Sequence, residues 1–167
     1  GMRKGMVVDP TELTESVRKS VQDAEAMLGA PLPPAHVGIT GGHLTCINTA
    51  ACLSRSSKSQ ANAFSHDDVD RLLSSTVKQS DHRRRIVHVV PRYYQVDELR
   101  GVRNPIGMNG EKLAAESHIV VGDVATMENL EAVVRAAGVK VHGLVIEHLA
   151  SAEAVLTTDE REAGAVL

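Results

Sequence analysis

Eight histidines, two cysteines and a few well-placed carboxylates are the side chains of this 167-residue sequence that could do chemistry. The histidines stand at 36, 43, 66, 82, 88, 118, 142 and 148. None forms the HExxH or other i,i+4 pair that would aim two imidazoles at one zinc ion from a helix face. His88 and His118 fall in two extended runs and could face each other across a sheet. A zinc site needs further ligands, so satisfied or solvated imidazoles are the simpler reading, and no metal residue is assigned. Cys46 and Cys52 are six apart, on one face of a strand but about 20 Å from each other, beyond disulfide reach within that strand. Two cysteines without CxxC spacing and without a signal peptide read as incidental thiols in a reducing cytoplasm. Gly107–Lys112 (GMNGEK) has a faint likeness to a phosphate loop, but Glu111 intrudes and the residues after Lys112 read as strand, so a structural turn is expected. No nucleophile–base signature such as GxSxG occurs, and no catalytic residue is assigned.

Charge and position single out a few other residues. Arg83, Arg84 and Arg85, with Lys78 nearby, form a basic cluster. It reads either as a solvated loop or as a salt-sensitive contact for an acidic partner surface or acidic lipid headgroups. Tyr93 and Tyr94 must face opposite sides of a strand, so one points outward, and exposed Tyr beside Arg is a common interface composition. Glu147 closes the apolar run LVIE, where a carboxylate at a strand C-terminus can face a ligand crevice.

These residues must be positioned by alternating strands and helices. Arg3–Val8 reads as the tail of a strand. Asp9-Pro10 opens a helix with Leu13, Val17, Val21, Ala24 and Leu28 on one stripe, and Gly29 ends it. Strands are expected at 36–40 and 43–53, the latter followed by the polar loop Ser54–Asn62. Ser65 and Asp68 make a capping-box variant for a helix carrying Val69, Leu72, Leu73 and Val77. The stretch Arg85–Gly122 reads as two long strands around one loop rich in turn formers. Asp123 caps a helix that Gly138 stops, and 139–146 reads as a strand buried on both faces. A short Ala-rich helix (150–156) and a cap at 158–160 come next, and Gly164–Leu167 reads as the beginning of a further strand.

Composition bounds the function. With 43% hydrophobic residues but one Phe, two Tyr and no Trp, the core is expected to be aliphatic. A net charge of -3 and a pI near 6.2 give no general nucleic-acid footprint. No apolar run approaches the ~20 residues that span a bilayer. Gly1 before Met2 reads as a tag-cleavage remnant, and a chain stopping inside an apolar strand reads as a fragment.

Three stretches together resemble one family, the bacterial actin-like cell-division protein FtsA. KGMVVDPTELTESVRKSVQDAEAMLG with VGITGGHLTCIN is similar to its first subdomain running into an inserted one. RIVHVVPRYYQVDELRGVRNPIGMNGEKLAAESHIVVGD is similar to the insertion, called SHS2 or subdomain 1C, with HVVPxxYxVD and PIGMxGxxL its specific parts. ENLEAVVRAAGVKVHGLVIEHLASAEAVLTTDEREAGAVL is similar to the return. Arg92, Tyr93, Ser54–Asn62 and His148 depart from the family pattern.

The resemblance implies an α/β fold with an α+β insertion: a partial actin-like, ribonuclease H-like layer. Residues 2–42 and 123–167 would be truncated parts of subdomain 1A, and 43–122 the strand–helix–strand–strand SHS2 insertion. It implies an assembly module for self-association and recruitment of later division proteins, from a protein that binds ATP with Mg and tethers FtsZ. That protein would work in the cytoplasm at the inner membrane face of the division site, reaching the membrane only through a C-terminal helix absent here. The fragment would lack both phosphate loops and so would not be an enzyme alone. Glu147 would lie near the hydrolytic water of the intact protein. Arg83, Arg84, Arg85, Arg92 and Tyr93 are the partner-binding candidates. A pilus-assembly actin-like adaptor, which can carry a similar insertion, is an alternative reading.

Overall fold

The computed structural model describes residues 1–55, 63–76 and 82–164. The chain divides into two compact units: Gly1–Leu44 with Gly122–Leu167, and the inserted Thr45–Val121.

The flanking unit opens with two-residue strands β1 (Met2–Arg3) and β2 (Met6–Val7), paired antiparallel. The single strand expected over 3–8 is thus two. Lys4 and Gly5 both take positive φ, 52° and 79°, the pattern of a tight hairpin turn, and they fold the segment back on itself. A Cβ at Gly5 would stand 1.9 Å from the Thr40 carbonyl oxygen, so no other residue fits there. Helix α1 (Pro10–Leu28) starts where the Asp9 carboxylate accepts the Glu12 amide and ends at left-handed Gly29. Strand β3 (Ala35–Ile39) pairs in parallel with β8 (Val141–Ile146). Between them in sequence comes helix α3 (Val124–Ala136), capped by Asp123, which packs on α1. Helix α4 (Glu147–Val155) leaves directly from the end of β8, and α5 (Thr158–Ala163) lies behind a Thr157–Glu160 capping box. The β8 strand is half-buried rather than enclosed on both faces, with His142 exposed, because among the described residues its sheet is two strands wide.

The inserted unit is a four-stranded sheet in the order β4-β7-β5-β6: β4 (Leu44–Ser54), β5 (Arg84–Val96), β6 (Leu99–Val102) and β7 (Lys112–Asp123). Helix α2 (His66–Thr76) lies between β4 and β5 in sequence. Strand β7 alternates: Leu113, Ala115, Ser117 and Ile119 are buried, while Ala114, Glu116 and His118 are only partly so. One sheet face therefore carries the core and the other stays open. The core gathers Phe64, Leu72, Tyr94, Val96, Val102, Leu113 and Ala115, with Ala51, Leu53, Val69, Leu73 and Met108 around them. Composition alone predicts an all-aliphatic core. Instead the single Phe, 1% exposed, is its largest fully buried side chain, since two aromatics fill volume that several aliphatics would otherwise occupy.

Two local devices hold this unit. Arg55, at the end of β4, lies with its guanidinium 4.3 Å above the Phe64 ring and pairs with Asp68. Asp68 also accepts the Ser65 amide at 2.9 Å while the Ser65 hydroxyl accepts the Asp68 amide at 3.3 Å. That reciprocal cap, foremost the Ser65 amide, holds the Asp68 carboxyl below its ordinary value. The other device is Asp97. Its carboxylate accepts the amides of Glu111 and Lys112 at 3.0 and 2.8 Å, and its own amide donates to the Lys112 carbonyl. The loop read between the two long strands thus contains a strand of its own, β6, paired back on β5. Gly107–Lys112 is part of this structure. Gly107 donates to the Phe64 carbonyl, and a Cβ at Gly110 would meet Val96 at 2.7 Å and Phe64 at 3.0 Å. At Lys112 strand β7 begins, with no helix to complete a phosphate site.

Candidate interaction surface

The open face of the inserted sheet carries the one group of sequence-selected residues that the fold brings together. Strand alternation buries Tyr94 (8% exposed) and turns Tyr93 outward (38%). On the neighbouring strand β7, Glu116 receives both the Tyr93 hydroxyl and, at 2.5 Å, the Arg92 guanidinium. The tyrosine hydroxyl first, then Arg92, holds the Glu116 carboxyl below its usual range. Glu116 in turn pushes the Tyr93 phenol up, against the opposing charges of Arg92 and Arg100. The side chains of Arg92 and Glu116 are exposed enough for solvent to screen the ion pair, which adds little to stability. Its value is geometric: it fixes the tyrosine ring upright. Beside it a depression of about 260 Å³ is lined by Ala50, Tyr93, Gln95, Arg100, Ala114 and Glu116. Small alanines make the floor, an aromatic ring one wall, and opposite charges the rim. Such a surface can seat a peptide side chain while Arg100 or Glu116 meets its charge.

Sequence reasoning missed Glu116, Gln95 and Arg100. The signal was present in period-2 alternation, since Glu116 falls three residues after core Leu113, on the opposite side of the strand.

The structure separates the other candidates. Arg83, Arg84 and Arg85 lead into β5, with Arg85 eight residues before Tyr93, which at strand rise is roughly 26 Å away. They do not form one Arg–Tyr surface with Arg92 and Tyr93. Arg83 and Arg84 are exposed and Arg85 half-buried; Lys78 lies outside the described residues. Glu147 is not a strand residue but the first residue of α4, exposed in the flanking unit. His118 lies on β7 and bonds Asn48 at 2.7 Å. Burial pushes the His88 imidazole down. Cys46 and Cys52 are free and exposed on β4. Among the described residues no group of three or more His, Cys, Asp or Glu is placed to hold a metal ion, and no helix is long and apolar enough to cross a membrane.

Residues 41–121 match the SHS2 domain inserted in FtsA. Over its whole length the chain is 33% identical to the cell division protein FtsA of Pseudomonas aeruginosa, of which it spans 39%. Over 98% of its length it is 30% identical to that of Escherichia coli K12, and over 100% it is 31% identical to that of Bacillus subtilis 168, spanning 38% of each. The chain belongs to the FtsA family. In FtsA terms, the four-stranded unit with Phe64 at its centre is the SHS2 insertion, and the fold is mixed α/β with that insertion set into an actin-like layer. The open face bearing Tyr93, Glu116 and Arg100 is SHS2 surface. The chain spans about two fifths of the length of the curated relatives it matches.

Proposed function

We propose that this part of an FtsA-type cell-division protein works by docking other proteins, and that the open SHS2 face is where it docks them. The Tyr93–Glu116–Arg92 arrangement beside Arg100 carries the reading: a braced aromatic and an unmatched cation over an alanine floor recognise a partner segment with an apolar side chain and an acidic group. The partners this reading assigns are later division proteins, further copies of the chain, and FtsZ, tethered by the intact protein at the membrane through parts outside these residues. The test is a binding measurement with purified division proteins on immobilised parent, Arg100→Glu and Arg83→Glu/Arg84→Glu/Arg85→Glu chains. Loss with Arg100→Glu alone is the expected result. Unchanged binding with that variant rejects the face, and loss only with the triple variant moves the surface to the start of β5.

A second reading concerns the nucleotide of the intact protein. Glu147 heads a helix directly after a parallel strand, the position at which α/β layers present groups to a ligand. The proposal is that Glu147 approaches the hydrolytic water when ATP and Mg are held by the full-length protein. Turnover of the full-length protein undiminished in Glu147→Ala rejects this. For the 167-residue chain alone, calorimetry is expected to show no micromolar ATP affinity.

A further inference from the structure

The SHS2 sheet has two edges, and they are built oppositely. The β6 edge is four residues long and contains Arg100 and Gly101, features that discourage further strand pairing. The β4 edge runs eleven residues, LTCINTAACLS, with no charged residue, proline or glycine. Thr45, Cys46, Ile47 and Asn48 are exposed in succession, so both faces of the strand meet solvent there. Among the described residues β4 has β7 on one side only, so its other side presents backbone amides and carbonyls, and the strand itself carries none of the charges or prolines that usually protect an edge.

We infer that β4 pairs antiparallel with β4 of a second copy, joining two SHS2 sheets into one eight-stranded sheet. This deepens the self-association proposed above by naming its surface. The register is set by the strand itself. Full overlap of Leu44–Ser54 places the two-fold axis at its middle residue, Thr49. Cys46 and Cys52 stand three residues to either side of that axis. Each Cys46 therefore lies opposite the other copy's Cys52, with Cβ atoms about 4.5–5.5 Å apart as in any direct cross-strand pair. Both cysteines project from the same face of β4, by period-2 alternation. Asn48 lies opposite Ala50, and no like charges meet anywhere along the ladder, the condition a symmetric pairing must satisfy.

A short bismaleimide crosslinker, bis-maleimidoethane, tests this with the 167-residue chain. The parent is expected to give a covalent dimer. Cys46→Ser and Cys52→Ser are each expected to give none, because like cysteines lie about 20 Å apart in this register. An equal mixture of the two variants is expected to give the dimer again, since each supplies the thiol the other lacks. Bridging within either single variant, or no bridging in the parent or the mixture, overturns the pairing. Sedimentation velocity keeps the two levels apart: a dimer that fails the mixing test leaves self-association standing and removes β4 as its surface.

Discussion

In the SHS2 unit, Phe64, Leu72 and Leu113 are 0–1% exposed, whereas helix α1 of the flanking unit buries none of its nineteen residues. Met27 and Leu28 at the end of that helix are 90% and 63% exposed. The difference lies in what each unit closes around. Four strands and one helix give the insertion a core with its own centre, while in the flanking unit burial falls on α3, where Met127 is 0% exposed, and not on α1. A stripe of apolar residues at helical spacing can pack without being enclosed: α1 packs on α3 and its Leu13, Val17, Val21 and Ala24 are half-buried, but none is closed over.

Four substitutions break or sharpen that contrast, the first two read by hydrogen exchange so that each unit reports separately. Phe64→Ala is expected to cost the SHS2 unit about 3–5 kcal/mol, abolishing protection in β5 and β7. Protection retained there means the core does not centre on Phe64. Asp97→Ala strips two amides of their carboxylate and is expected to cost about 1–3 kcal/mol, with the exchange of Glu111 and Lys112 rising first. Equal exchange at those amides removes Asp97 as the pin of the loop. The pH response is the next smaller effect. Because the Asp68 carboxyl is held below its unfolded value of 3.8, its contribution is present above that value and is lost as pH falls through the lower folded one. Urea midpoints of the parent should therefore fall more steeply below about pH 4 than those of Asp68→Asn; parallel curves reject the cap. Leu28→Ala, on the exposed end of α1, is expected to change stability by no more than about 0.5 kcal/mol. A loss above about 2 kcal/mol, the size of a buried Leu truncation, means that the end of that helix is covered rather than exposed.

Much of this was legible in the residues. Asp9-Pro10 and Gly29, Ser65 with Asp68, and Asp123 each marked a helix end, because caps act through neighbours within three or four positions. The outward turn of one of the two tyrosines came from alternation alone. The unread parts needed partners distant in sequence. Strand β6 is four residues long with a glycine inside it, too short to show a period, and it exists because Asp97 fastens residues fourteen and fifteen positions on. Glu116 looked like one charge among many until β7 was laid beside β5. The basic run 83–85 and Arg92-Tyr93 looked like one surface because sequence proximity hides how far an extended strand carries the chain.

The Arg55 clamp has a practical consequence. Arg55 pairs with Asp68, stacks on Phe64 and reaches the Ala63 carbonyl at 3.5 Å, so the two ends of the connector 56–62 are fastened by groups outside it. Its length is therefore decoupled from the fold: doubling it costs only about 0.6 kcal/mol of closure entropy. Any tag placed between Arg55 and Ala63 therefore has to keep Arg55, Phe64 and Asp68 intact, because these three residues and not the length between them hold the closure.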